Sequence, residues 1–252
     1  MIKFFRKIRQ NLLSEGKTTK YFKYAIGEIL LVVIGILIAL QINTWNENRK
    51  SEKRSINYMK NLIIDLKTDV NEFNQNLKSY QKDIIEIESV LMSNDYKKLE
   101  VDSIMHLVIE YYLIDKTTKQ TYEKIKNGGL LESLGSENVN KAINDYYNLN
   151  IIYWQNGLLW DKKYTDKAYD FWFYNKNFEA SSIRNYDVNS IPFLTNLDNR
   201  KINLITLIES IEGRNYLRNG LVRKNHLSKR TKEIKQVAID LIEMLNTELD
   251  KR

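Results

Sequence analysis

The chain has 252 residues, of which 43% are hydrophobic and 28% are charged, a balance typical of folded rather than disordered proteins. It contains no cysteine and two histidines, which excludes disulfides, cysteine-ligated metals and histidine-rich metal sites. With one proline and nine glycines there is little turn material for a fold of many short strands. We therefore expect an all-α chain.

The net charge of +7 is concentrated at the N-terminus. Residues 1–23 carry seven lysines and arginines against one acid, Glu15, and they directly precede an apolar segment. This arrangement is typical of membrane insertion and disfavours nucleic acid as a partner. Apolar residues also recur at helical spacing between the basic ones, which predicts a basic amphipathic helix on the cytoplasmic leaflet; a disordered basic tail is the alternative.

The apolar segment at residues 24–45 is predicted to be a transmembrane helix. Residues 29–40 are apolar without interruption. About 22 helical residues span about 33 Å, enough for a bilayer core of about 30 Å. No small-x-small cleavage site follows Leu40, so the pattern favours an uncleaved signal anchor. The excess of basic residues before the span predicts a cytoplasmic N-terminus and a C-terminal region outside the cytoplasm.

Several residues of this span are candidate anchors or contact positions. Tyr24 and Trp45 stand at its two ends, where aromatic side chains prefer the headgroup level. Glu28 lies near the start of the helix, where it either faces headgroups or pairs with a basic residue of another membrane protein. Four small or polar residues share one face at multiples of four and would allow close approach of a second helix. They are Gly27, Gly35, Ala39 and Asn43.

Two segments resemble a known family. The opening MIKFFRKIRQNLLSEGK and the following YAIGEILLVVIGILIALQINTWNE resemble the N-terminus of an uncharacterised family of single-pass membrane proteins from Gram-negative bacteria. A later segment, TYEKIKNGGLLESLGSENVNKAINDYYN, is similar to a second stretch shared in that family. The resemblance implies the bacterial inner membrane as location and a helical remainder. No activity is established for the family, so it implies no catalytic residue and no cofactor.

Residues 46–95 are predicted to form a long, heptad-patterned helix after the span. Apolar or aromatic residues recur in two series seven residues apart over about five heptads. The first series is Ile56, Ile63, Val70, Leu77, Ile84 and Leu91, and the second is Met59, Leu66, Phe73, Tyr80 and Ile87. The seam fits either a homo-oligomeric coiled coil through residues 56–91 or a bundle formed within the chain.

Residues 96–252 are predicted to form an antiparallel helical bundle that packs with this stalk. Helical patterns occur at 101–114, at 121–126 with a stop at Asn127-Gly128-Gly129, at 137–177, and from Arg200 onward. The stretch 180–199 contains the only proline and is predicted to be a loop. Gly213 and Gly220 are predicted to mark a bend.

The aromatic-rich segment 146–178 is one candidate binding surface. Tyr146, Tyr153 and Trp160 recur every seven residues, which favours a bundle core; a groove for an envelope glycan or peptide is the alternative. Four aromatics in a row cannot all face a core, so they form the candidate partner surface. They are Phe171, Trp172, Phe173 and Tyr174.

The basic stretch 214–235 is the other candidate surface. It is either a solvated helix face or an anion-binding face. The candidate anion-binding residues are Arg214, Arg218, Arg223, Lys224, Lys229 and Arg230.

No motif of a known catalytic class is present, and nothing in the sequence brings acidic side chains together. The chain is therefore predicted not to be an enzyme and to use no cofactor or metal. We expect a membrane-anchored helical interaction protein, a scaffold, sensor or assembly factor, that contacts the lipid bilayer and an unknown membrane or envelope protein. The alternative is a membrane-tethered binding module that uses residues 146–178 to hold an envelope ligand.

Overall fold

A computed structural model describes Asn11, residues 18–181 and residues 191–252. Every regular element in this part of the chain is helical, so the predicted all-α class is confirmed. The main helices are α1 (Thr18–Met92), α2 (Val101–Val108), α3 (Gln120–Asn127), α4 (Glu137–Asp145), α5 (Ile151–Phe173), α6 (Leu197–Glu209) and α7 (Ile211–Asp250).

The chain divides into two compact units, Met1–Asn57 and Tyr58–Arg252. In the first unit, α1 carries an 18-residue window with a mean hydropathy of 2.6, and none of that window is buried. By length and composition, this is the one helix among the described residues that could cross a membrane. The amphipathic helix predicted in residues 1–23 lies mostly outside the described residues, and so does the side chain of Tyr24.

In the second unit, the buried seam of α1 differs from the predicted seam. The second predicted series, from Met59 to Ile87, is at most 1% exposed. The series that accompanies it is Leu62, Asp69, Asn76, Asp83 and Val90, in which all but Asp83 are buried and the Asp83 side chain is 16% exposed. Of the first predicted series, Ile63 and Ile84 are buried and the other four residues are half-buried, so the seam is shifted by one helical position at Val70, Leu77 and Leu91. Its residues flank a seam that is partly polar.

Two apolar cores are found among the described residues of this unit. The first core surrounds Trp154 of α5, which lies edge-on to Phe73 of α1 with ring centroids 5.2 Å apart. The second core surrounds Trp172 and joins the ends of α1 and α5 to α2, α6 and the start of α7. The buried seam of α1 is thus packed against other helices of the same chain.

Contacts between α5 and α7 follow a regular order. Trp154 donates to Thr231, a side chain at Gly157 would touch Arg230, and Asp161 pairs with Arg223. Residue numbers therefore rise along α5 as they fall along α7.

The helix predicted at residues 101–114 ends early. α2 stops at Val108, and residues 109–119 form no regular element. Apolar residues in this stretch produced a helical pattern, but Ile109 is extended, with φ −84° and ψ 123°. The stop predicted after α3 is confirmed, because Gly129 has a φ of 64° that favours glycine.

The long helix predicted at 137–177 is interrupted by a π-helical turn, Tyr146–Asn150. A π turn shifts the helical register by one residue, so the neighbours Tyr146 and Tyr147 are both buried. The shift also explains why the predicted spacing of seven is wrong: Tyr153 is 56% exposed, and Trp154 is buried instead.

The predicted bend lies at Ser210, not at a glycine. Ser210 ends α6 and caps α7, where its hydroxyl accepts from the backbone N–H of Gly213 at 3.0 Å. A side chain at Gly213 would lie 2.2 Å from the carbonyl oxygen of Leu207, so this tight junction requires glycine. Gly220 lies within α7, nine residues after its start.

The shifted seam predicts unequal effects of two leucine truncations in α1. Leu66→Ala removes a fully buried side chain and should lower the free energy of unfolding by about 2–5 kcal/mol. Leu77→Ala, the matched control on the half-buried flank, should cost less than about 1.5 kcal/mol. Urea unfolding of the full chain in detergent micelles, followed by tryptophan fluorescence, measures both. Equal losses, or a larger loss for Leu77→Ala, would contradict the shifted seam.

Candidate functional site

Five charged side chains meet in the interior of the second unit, and we call them the buried charge cluster: Asp83, Glu110, Asp161, Arg223 and Lys224. Both cations and Asp161 are 0% exposed, and the Glu110 side chain is 3% exposed. Charged groups are rarely buried to this degree unless they are paired. This cluster therefore dominates the electrostatics of the interior.

Arg223 of α7 is held by groups from several elements. Its Nε donates to Oδ1 of Asp161 at 2.9 Å, and its Nη2 donates to Oε2 of Glu110 at 2.7 Å. Nη1 donates to the side chain of Asn219, and Nη2 lies 3.4 Å from the hydroxyl of Thr165. Each nitrogen of the guanidinium thus has an acceptor, which offsets the cost of burying the charge.

Lys224, the next residue, donates to a partly different set of acceptors. Its Nζ donates to the backbone oxygen of Tyr111 at 2.7 Å and to Oδ2 of Asp161 at 3.1 Å. Oδ2 of Asp83 lies 3.4 Å from the same nitrogen. Asp161 therefore bridges the two cations, one through each carboxylate oxygen.

The cluster lies between the two apolar cores. Along α1, Asp83 falls between Tyr80 of the first core and Ile87 of the second. Along α5, Asp161 falls between Leu158 and Ala168 in the same way. On α7 the order is reversed: Leu217 belongs to the second core and Leu227 to the first. The charges form a polar layer that three helices cross.

Three carboxylates share two cations in this layer, and the pKa values of two of the acids are raised. Burial, the largest cause, raises the pKa of Glu110 from 4.5 to about 7, although Arg223 and Lys224 oppose the shift. Burial likewise raises the pKa of Asp83 despite its pairing with Lys224. A proton on Glu110 makes the formal charge of the cluster zero.

Gly220 makes room for Glu110. A Cβ at this position would lie 2.2 Å from Oε1 and 2.6 Å from Cδ of the Glu110 side chain. The carboxyl group thus rests directly on the backbone of α7, one turn before Arg223. Glycine stands here because the acid approaches closely.

A second polar site surrounds Asp69, another buried residue of the α1 seam. Its Oδ1 accepts the backbone N–H of Thr118 at 2.7 Å, and its Oδ2 accepts the hydroxyl of Tyr146 at 2.9 Å. Burial raises the pKa of Asp69 to about 6, and these hydrogen bonds oppose the shift. One turn earlier, Asp65 accepts the N–H of Thr121, one of the free donors at the start of α3.

The segment TYEKIKNGGLLESLGSENVNKAINDYYN supplies this second site. Its Tyr122 stacks on Tyr147 with ring centroids 4.3 Å apart, and Tyr146 binds Asp69. Asn148 donates to the hydroxyl of Tyr122 at 2.5 Å. The Thr-Tyr and Tyr-Tyr pairs of the sequence are thus brought together against α1.

The structure corrects the predicted anion-binding face. Arg223 and Lys224 are buried on carboxylates and cannot form a surface site. Arg214 donates to the backbone oxygen of Leu91 at 3.2 Å, and Arg230 lies 3.9 Å from the ring centroid of Tyr153. Of the six predicted cations, two are exposed. They are Arg218 and Lys229.

The four consecutive aromatics do not form one surface. Trp172 is 1% exposed, Phe171 stacks on Tyr216 at 4.5 Å, and Phe173 stacks on Tyr169 at 4.2 Å. Tyr174 is 76% exposed. Of the four, only Tyr174 faces solvent. This agrees with the prediction that at least one of them must point away from the core.

In the predicted transmembrane part of α1, Trp45 is 63% exposed. The helix face that carries the small or polar residues Gly27, Gly35, Ala39 and Asn43 is not covered by other parts of the chain. A side chain at Gly27 or Gly35 would meet no atom within 4 Å, and Ala39 and Asn43 are exposed. Glu28 is half-buried. The described residues contain no group of three or more side chains suited to hold a metal ion.

The model of a family of unknown function, DUF6090, matches residues 28–212, which is more than half of the chain. The chain belongs to this family. No curated protein and no solved structure matches it. The family match includes Asp83, Glu110 and Asp161, whereas Arg223 and Lys224 lie beyond its end. Membership in a family of unknown function assigns no activity.

The close approach of Gly220 and Glu110 predicts a strong coupling between these two positions. Alanine in a helix is ordinarily more stable than glycine by about 1 kcal/mol. Gly220→Ala should instead lower the free energy of unfolding by about 1–3 kcal/mol, because the acid must leave its place beside Arg223. In a Glu110→Ala background the same change should be neutral or stabilising.

Urea unfolding of the two single variants and the double variant measures this coupling as a double-mutant cycle. An identical effect of Gly220→Ala in both backgrounds would show that the carboxyl group does not rest on this helix.

Proposed function

We propose that the protein is a single-pass membrane protein whose helical second unit serves as an interaction module. In this proposal the apolar stretch of α1 spans the inner membrane, the N-terminus is cytoplasmic, and residues 46–252 lie outside the cytoplasm. The module would act as a scaffold, sensor or assembly factor. The orientation and the place of the interaction module both depend on the membrane location.

The observation that carries the proposal is the unburied apolar stretch of α1. Its 18-residue window has a mean hydropathy of 2.6, and no part of it is covered within the chain. An apolar surface of this size is unstable in water unless a membrane or a partner covers it. The basic residues before the stretch favour a cytoplasmic N-terminus.

The interaction role rests on the character of the second unit. Its strongest polar constellation consists of ion pairs inside the interior, and each cluster carboxylate is engaged by a cation. Such groups hold helices in place, whereas a catalytic acid or base must reach a substrate. This favours a folded interaction module over an enzyme.

We also infer that the second unit is an antiparallel helical bundle formed within one chain, with residues 58–92 of α1 as one of its members. The order of contacts between α5 and α7 supports the antiparallel arrangement. The burial of Met59, Leu66 and Phe73 against the chain's own helices supports a bundle over a dimeric coiled coil.

Cysteine labelling tests the proposed orientation, because the chain has no cysteine of its own. Asn225→Cys places a single thiol on an exposed position of α7. A membrane-impermeant maleimide should label it in intact spheroplasts. The matched variant Asn11→Cys lies on the other side of the span and should react only after lysis.

The reverse pattern would place the second unit in the cytoplasm and overturn the orientation. Recovery of the protein in the soluble fraction, with both thiols labelled only after lysis, would overturn the membrane location itself.

A further inference from the structure

Residues 109–119, which we call the strap, join α2 to α3 without forming a helix. Buried carboxylates hold both of its ends. Near the start, Glu110 of the strap enters the charge cluster and accepts from Arg223 at 2.7 Å. Near the end, the backbone N–H of Thr118 donates to Asp69 at 2.7 Å.

Between these anchors the strap is more exposed, although Lys116 pairs with Glu72 at 3.3 Å and Lys162 lies 4.6 Å from the ring centroid of Tyr112. Tyr111 and Ile114 are 57% and 60% exposed, and Leu113 packs partly against the first core. Lys224 binds the backbone oxygen of Tyr111, and Gln155 of α5 donates to Asp115. Because little apolar surface is buried along its middle, docking of the strap depends strongly on the two acids at its ends.

We propose that the strap is a pH-responsive element, docked when Glu110 and Asp69 carry protons and released when both are ionised. The two anchors join the ends of the strap to the rest of the unit by buried polar contacts. Protonation would therefore act on its attachment at both ends.

The charges around Glu110 come from every element packed against it. Arg223 and Lys224 of α7 favour its ionised form, whereas Asp161 of α5 and Asp83 of α1 oppose it. Burial outweighs the cations and raises the pKa of Glu110 to about 7. Protonated Glu110 leaves two carboxylates facing two cations, which is the balanced arrangement.

The groups around Asp69 also raise its pKa in sum. Asp65 on α1 opposes its ionisation, and the hydroxyl of Tyr146 and the N–H of Thr118 favour it. The neighbouring Tyr147 also lies within its field. Burial again prevails and raises the pKa of Asp69 to about 6.

These shifts fix the sign of the pH dependence. In a released strap both acids would meet water and return towards their ordinary values of 4.5 and 3.8. The docked form therefore holds more protons than the released form between those values and neutrality. Docking is strongest at acid pH and weakens as the pH rises through about 6 to 7.

Hydrogen exchange of the full chain in detergent micelles, read by mass spectrometry, measures release of the strap. Exchange rates are corrected for the intrinsic effect of pH. From about pH 5 to about pH 8, the opening constant of the strap amides should rise at least about ten-fold, since each unit of pKa shift corresponds to a factor of ten. Amides of α5 serve as the internal reference. An equal change in the strap and in α5 would overturn the proposal.

Two neutral variants test the assignment of the protons. Glu110→Gln and Asp69→Asn imitate the protonated acids, so each should reduce the pH dependence and the double variant should abolish it. Glu100→Gln, an exposed acid before α2, should retain the wild-type response. A wild-type response in the double variant would overturn the proposal. If these variants fail to fold, the wild-type profile still decides, because docking must weaken as the pH rises from the ordinary pKa values of the two acids to the raised ones, and no weakening over that range would overturn the proposal. This test does not depend on the orientation of the membrane span.

Discussion

The burial of two cations, Arg223 and Lys224, is the constraint on which the second unit depends. Moving a charge out of water costs several kcal/mol even after relaxation, so each cation must find carboxylates and backbone acceptors inside. α1 contributes Asp83, α5 contributes Asp161 and the strap contributes Glu110. The position of each element is thereby tied to one turn of α7.

The location of this polar layer explains why it specifies the structure. An apolar heptad seam is compatible with several registers, because sliding a helix by seven residues replaces one apolar contact with another. A charged layer between two apolar cores removes that freedom, since any slip would bury an unpaired carboxylate or cation. The same layer has one acid more than it has cations, which makes proton uptake a property of the interior. Stability and pH response therefore have a common origin.

The sequence was sufficient to predict the helical class and the apolar stretch of α1, because long periodic and uniform patterns are strong signals. It was insufficient for the α1 seam. Hydropathy favours Val70 and Leu77, whereas the fold buries Asp69 and Asn76, and the partners that make Asp69 tolerable lie far away in sequence. The strap was missed for the same reason, because tertiary contacts such as the one from Arg223 to Glu110 replace the helix that its apolar pattern predicts. The π turn lies within a helical pattern that gave no signal of it.

One part of the site could have been found from the sequence. The buried stripe of α7 repeats every seven residues through Leu217, Lys224, Thr231, Ala238 and Leu245. Extending that stripe backward from its apolar members places Lys224 inside, next to Arg223. From composition alone, the same residues were predicted to form a basic surface. The periodicity of the helix was the better guide.

If a buried cation holds the elements of the second unit together, two arginine substitutions in α7 should differ sharply in their effect on stability. Arg223→Met keeps a long side chain but leaves Asp161 and Glu110 with one cation between them. Arg218→Met, on an exposed position of the same helix, is the control. In urea unfolding of the full chain, Arg223→Met should lose about 3–5 kcal/mol and the control less than about 0.5 kcal/mol. Losses that agree within about 0.5 kcal/mol would contradict the account.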